Sequence, residues 1–190
     1  MVVYDDFFKE LTLSKNREDL ENLFGKYNIS GRNREKYPDL IFNINFDEIK
    51  ELKSKGIITK DNNINSSFPE KDNLTTLERL FYAVMWKNGD LVKVKHIISG
   101  ICGESTTSKV FNQFGKHLSN KEEVIIDQHV LRAFIFYKDG NVIRDIKNKH
   151  YDIYFNDYKI WIEKSNLFKN NKNIIDELLF GIGKNMKSKE

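Results

Sequence analysis

Apolar residues recur along this chain at steps of three and four, and that spacing commits it to helices. Leu77, Leu80, Phe81, Val84 and Met85 fall at i, i+3, i+4, i+7 and i+8, the register of one helical face. Leu91, Val94, Ile97 and Ile98 repeat it, as do Val110, Phe111, Phe114 and Leu118, and then Ile174, Ile175, Leu178, Leu179 and Ile182. The pattern predicts an all-α fold, a helical bundle with room for two small lobes.

Capping residues stand where these stripes begin. Asn16 is expected to cap a helix running to about Tyr27, with Leu20, Leu23 and Phe24 inward. Asn45 would cap Phe46 to about Lys55, closed by Gly56, the residue type that tolerates a left-handed C′ position. Thr75-Thr76-Leu77-Glu78 reads as a capping box, and Asn88-Gly89 ends that helix. Asp90 would cap the next helix and Ser99-Gly100 would stop it. The hydroxyls of Ser105, Thr106 and Thr107 would cap the helix carrying Lys109. Asp127, delivered by Ile125-Ile126, would cap an apolar helix whose end, Phe134 to Ile143, reads either as more helix or as a hairpin around Asp139-Gly140. Asn173 would cap the last helix and Gly183 would close it.

The polar stretch 59–73 reads as a connector between an N-terminal helical segment (1–58) and a core with C-terminal helices (74–190). Arg32 and Arg34 lie in a loop pattern and read as an exposed charge pair or a phosphate contact. Tyr151, Tyr154, Phe155, Tyr158, Trp161 and Ile162 form an aromatic stripe, which serves either as core or as a stacking surface for bases.

Composition narrows the function classes. Hydrophobic residues make up 39% of the 190, enough for a packed interior. Thirty-one basic against 28 acidic residues leave +3, which permits a nucleic-acid partner without requiring one. Met1 to Asp6 has no basic stretch and no long apolar run, and no segment approaches the roughly 20 apolar residues of a membrane span. No signal peptide and no membrane partner are therefore expected, and a cytoplasmic location is. Cys102 is the only cysteine, so a four-cysteine iron–sulfur cluster cannot form within the chain; it reads as a small buried residue. His96, His117 and His150 have no ligand spacing, and no phosphate loop or dinucleotide fingerprint occurs. No metal and no cofactor is expected.

Lys109 falls in the first turn of its helix, where a cation opposes the helix dipole. A helix, a turn and Ile125-Ile126-Asp127-Gln128-His129-Val130-Leu131-Arg132 follow it, with eighteen residues from Lys109 to Asp127. This arrangement resembles the core of the helix-hairpin-helix DNA glycosylases of the endonuclease III type. The likeness covers about residues 74 to 137. It implies a glycosylase-like bundle and double-stranded DNA with damaged or modified bases as partner; the iron–sulfur loop of many such relatives is not expected here, because Cys102 is the only cysteine. It implies Asp127 as the catalytic carboxylate and Lys109 as the nucleophile of an AP lyase. His129 and Arg132 would support the site, while Lys87 and Asn88 occupy the place from which relatives reach into DNA. The hairpin that approaches a phosphate falls in the region of Thr107, with Gly100 and Gly103 lying further upstream than the family's glycines. Thr107 stands where the family has a glycine, and residues 99–108 contain no proline. An alternative from another class is a non-catalytic all-α protein that keeps this scaffold to bind DNA or a protein. A stripe of Lys87, Lys93, Lys95, Lys109 and Lys116 would serve DNA contact under either reading.

Overall fold

Local propensity and packing meet in a chain whose regular elements, among the described residues, are all helical. The structure, a computed structural model, describes residues 2–33, 40, 42–63 and 75–188, and no strand occurs among them. The helices are α1 (Val2–Leu13), α2 (Arg17–Lys26), α3 (Phe46–Ser54), α4 (Thr75–Trp86), α5 (Val94–Ile101), α6 (Lys109–Ser119) and α7 (Gln128–Asp139), then α8 (Tyr151–Ile153), α9 (Lys159–Lys164), α10 (Asn166–Asn170) and α11 (Lys172–Ser188). Short 3₁₀ turns cover Leu91–Lys93 and Asn148–His150, and a π-helical turn covers Tyr154–Tyr158. Packing divides the chain into two units: Met1–Tyr37 with Ile126–Glu190, and Pro38–Ile125.

In the first unit, α7 is the core helix. Val130 through Phe136 are all buried, so this helix is enclosed on every side rather than amphipathic. Gly140 ends it in the left-handed conformation (φ 67°), and the helix reaching Asp139 removes the hairpin alternative. α11 lies against α7 and does not stop at Gly183. That glycine is interior to α11 and sits on the backbone of His129, where a Cβ would collide with the His129 carbonyl. The aromatic stripe is core: Tyr154, Tyr158 and Ile162 are buried at four-residue steps, and Phe134 meets Tyr158 edge-on at 5.2 Å.

In the second unit, α5 and α6 pack at very close range through Gly100 and Gly115. A Cβ on either glycine would enter the other helix's backbone. Gly100 is therefore a packing residue inside α5 and not its stop. The helix ends just beyond it, with Cys102 as its C-cap and Gly103 at φ 75°. The Glu104 amide donates to the Ser99 carbonyl (2.8 Å) and the Gly103 amide to Gly100 (3.1 Å), closing the end as a Schellman motif. Asn45 and Glu48 form a reciprocal capping box on α3. Asp90 makes no cap hydrogen bond. Thr75 is the first helical residue of α4, so the capping position there falls on residue 74, outside the described residues. Of the 59–73 connector, Thr59–Asn63 are described. Asn62, buried, donates to the Ser99 hydroxyl and the Glu104 carboxylate (2.8 Å each).

The glycine crossing predicts a sharp contrast. Gly100→Ala should lower the unfolding free energy by roughly 1–3 kcal/mol through overpacking. Gly25→Ala, in α2 with nothing near its Cβ position, should raise it by up to about 1 kcal/mol. Urea unfolding midpoints of the two variants check this.

Candidate functional site

Asp127 occupies the cap of α7 as its sequence context predicts. Its backbone is extended (φ −119°, ψ 137°), and Oδ1 accepts the amide N–H of His129 at 2.7 Å. Oδ2 takes part in no hydrogen bond or ion pair among the described residues. The carboxylate is half-buried. The residues around it come from both ends of the chain, because the first unit joins them.

Arg132, one turn into α7, is fully buried. Its Nε donates to the Ile143 carbonyl (2.7 Å), Nη2 to the Arg144 carbonyl (2.7 Å), and Nη1 to the Gly183 carbonyl (3.2 Å). Nη1 also lies 2.9 Å from Nδ1 of His129. A guanidinium has only donors, so Nδ1 of His129 must be the acceptor and that ring is neutral with its proton on Nε2. Burial pushes the His129 pKa down; Asp127 opposes this and Arg132 adds to it. Burial likewise pulls the Arg132 pKa down, against Asp127 and Asp145. Phe180 of α11 meets the His129 ring edge-on at 5.1 Å. His129 and Arg132 thus fix the start of α7, the chain after it and α11 in one arrangement.

Arg32 corrects the reading of an exposed pair. Its side chain is 12% exposed and forms ion pairs with Asp176 (2.6 Å) and Glu177 (3.2 Å) of α11. Its own amide donates to Glu177 at 2.6 Å, and its guanidinium lies 4.5 Å from the Phe180 ring centroid. Arg34 is outside the described residues. Burial lifts Asp176 to about 6; Arg32 opposes that and the Asp127 charge adds to it. Tyr151 and Asp127 also sense one another: burial first, then Asp127, raises the phenol pKa. Sequence reasoning missed Asp176, Glu177 and Tyr151. The one available signal was a pair of acids interrupting the apolar stripe of α11.

The remaining sequence-predicted residues belong to the second unit. Lys109 is the first residue of α6, and its cap is Ser108 without a side-chain bond, not Ser105, Thr106 or Thr107. Thr107 and Gly103 are exposed, and Gly100 is buried in the α5–α6 crossing. Lys87 lies 5.5 Å from the Trp86 ring and 5.9 Å from Phe114. Asn88 is exposed, with φ 53°. Cys102 is half-buried, with its thiol pKa raised by burial. Among the described residues no helix is long and apolar enough to cross a membrane, and no group of three or more His, Cys, Asp and Glu side chains is placed to hold a metal ion. No family model, curated protein or solved structure matches the chain.

The neutral, buried His129 carries a pH signature. Its folded-state pKa lies below the ordinary 6.5, so the unfolded chain takes the proton first and stability falls as the pH drops below about 6.5. His129→Gln should flatten that loss, measured as urea unfolding free energy from pH 5 to 8. Histidines 96, 117 and 150, shifted the same way, should leave a residual slope.

Proposed function

We propose that this chain is a DNA glycosylase-like protein acting on damaged or modified bases, with Asp127 as its reaction-centre carboxylate. The observation that carries the reading is the state of that side chain. One oxygen is spent on the α7 cap, and the other takes no hydrogen bond among the described residues, where Asp127, Asp176 and Glu177 set three carboxylates against the guanidiniums of Arg32 and Arg132. Such surroundings favour positive charge. Breaking the bond between a base and C1′ sends the bonding pair to the base and leaves oxocarbenium character on the sugar. Asp127 stabilises that charge. Water then adds at C1′ and gives up a proton while the base gains one.

Duplex DNA must present its base extruded for this chemistry. The lysines at 87, 93, 95, 109 and 116 supply positive charge for phosphates. Lys109 carries the AP-lyase part: its amine condenses with the C1′ aldehyde of the abasic sugar, releasing water and leaving a Schiff base, and loss of a C2′ proton then breaks the C3′–oxygen bond by β-elimination. Its place at the head of α6 matches the helix and turn that separate it from Asp127 in the sequence pattern. His129 and Arg132 are supports of the α7 start rather than reacting groups, since their polar atoms are committed to one another and to backbone carbonyls.

A second reading has its own observation. Gly100 is consumed in helix packing and Gly103 in a helix end, so neither supplies the glycine-rich phosphate approach that a family hairpin uses. This favours a non-catalytic scaffold that binds DNA or protein.

Borohydride trapping separates the readings. The chain and Lys109→Ala are incubated with duplexes carrying an abasic site, uracil, oxidised bases or alkylated bases. A covalent adduct lost in Lys109→Ala is the expected result for a lyase. Alkali-labile sites without an adduct indicate a monofunctional enzyme. Neither product on any duplex favours the non-catalytic scaffold.

A further inference from the structure

The most unusual buried group in the first unit is Asp176. Its side chain is 17% exposed, and Oδ2 is gripped by Arg32 while Oδ1 is buried without a hydrogen bond. The Tyr158 hydroxyl, in a residue 1% exposed, is also buried without a partner, and Tyr158, Asp176 and Arg32 lie within electrostatic reach of one another. Clusters that serve packing alone pair such atoms, because each orphan costs about 1–3 kcal/mol. Here the packing leaves a carboxylate under-satisfied and aims two further acids, Asp127 and Glu177, at the same guanidinium.

We propose that Arg32, gripped by Asp176 and Glu177 and laid over Phe180, is a positioning residue for Asp127: it is the cation that lets Asp176 carry its charge beside the α7 cap. The proposal rests on the reading of Asp127 as the reaction-centre carboxylate. Two neighbouring carboxylates cannot both keep their charge cheaply unless a cation is shared between them. Arg32 is the cation at that place, and its attraction to Asp176, Asp127 and Glu177 outweighs its own burial. The contacts that carry it to the site are continuous: Arg32 on Phe180, Phe180 against His129, and the His129 amide on Asp127. Asp176 is faced by Arg32 from the segment after α2, by Asp127 from the α7 cap, by Tyr158 from the π-helical turn and by Glu177 on its own helix. Burial holds it to about 6, so the cluster becomes one charge more negative as the pH rises through that value. A more negative cluster stabilises a developing oxocarbenium better. The rate of base release should therefore rise through about pH 6.

Two measurements on the full chain test this. The first is carbon-13 NMR titration of the Asp176 carboxyl. Its midpoint should fall in Asp127→Asn, which removes a like charge, and rise in Arg32→Gln, which removes the cation. A midpoint that moves in neither variant overturns the proposal. The second is the pH profile of base release. The rising limb should shift upward by about one unit or more in Arg32→Gln, stay near its place in Arg32→Lys and vanish in Asp176→Asn. An unchanged profile in Arg32→Gln in an active protein overturns the positioning role and leaves the glycosylase reading standing. A wild-type chain inert on every duplex overturns both.

Discussion

A guanidinium sealed from solvent organises the first unit. Arg132 distributes its hydrogens among the carbonyls of Ile143, Arg144 and Gly183 and the imidazole of His129. Every one of these partners is neutral. A buried charge with no directly bonded counter-ion is tolerable only when its donors are satisfied, so the position of each partner is tightly constrained. One is the chain leaving α7, one is α11, and one is the residue two beyond Asp127. The helix that presents Asp127 is thereby fixed from three directions by a single side chain. Gly183 makes this possible, since a Cβ there would push α11 off the His129 backbone and open the clasp.

The neighbouring cluster follows a different logic. Arg132 is hydrogen-bonded only to neutral groups, with Asp127 and Asp145 acting on it through space. Arg32 is surrounded by acids, and one of them, Asp176, is poised to change state within the range where proteins work. α11 carries both arrangements on one face: Asp176 and Glu177 for Arg32, Phe180 between the two arginines, and Gly183 for Arg132. A scaffold fixed by one arginine and a field set by another is a suitable base for chemistry at Asp127.

Much of the local structure was legible because it depends on neighbours in sequence. Asn16, Asn45 and Asp127 cap the helices they precede, since an acceptor two or three residues before a free amide needs nothing else to act. The stripes of α4, α5, α6 and α11 supply the buried Leu77, Leu80, Val84, Val94, Ile97, Ile98, Phe114, Leu118, Ile175, Leu178, Leu179 and Ile182, while Met85 and Leu91, which continue the same spacing, are exposed. What was hidden depends on distant residues. Gly100 and Gly183 look like helix stops in the sequence, and both are interior residues on which another segment rests. Arg32 looks like loop charge because its partners lie 144 and 145 positions away. Ser105 to Thr107 offer three hydroxyls for a cap, yet α6 begins at Lys109 after Ser108. The resemblance to helix-hairpin-helix glycosylases drew attention to Asp127, while the residues that set its field become visible only once the first and last segments of the chain are packed in one unit.

The central claim is that the Asp127 charge performs the chemistry and does not merely cap a helix. The direct measurement is mass-spectrometric detection of free base released from the duplex panel by the wild-type chain and by Asp127→Asn. Asparagine also accepts the amide of His129, so the cap survives while the charge is removed. The account predicts release of one class of base by the wild type and a loss of about a hundredfold or more in the variant. Release at an equal rate by Asp127→Asn, or none by the wild type from any duplex, would contradict it.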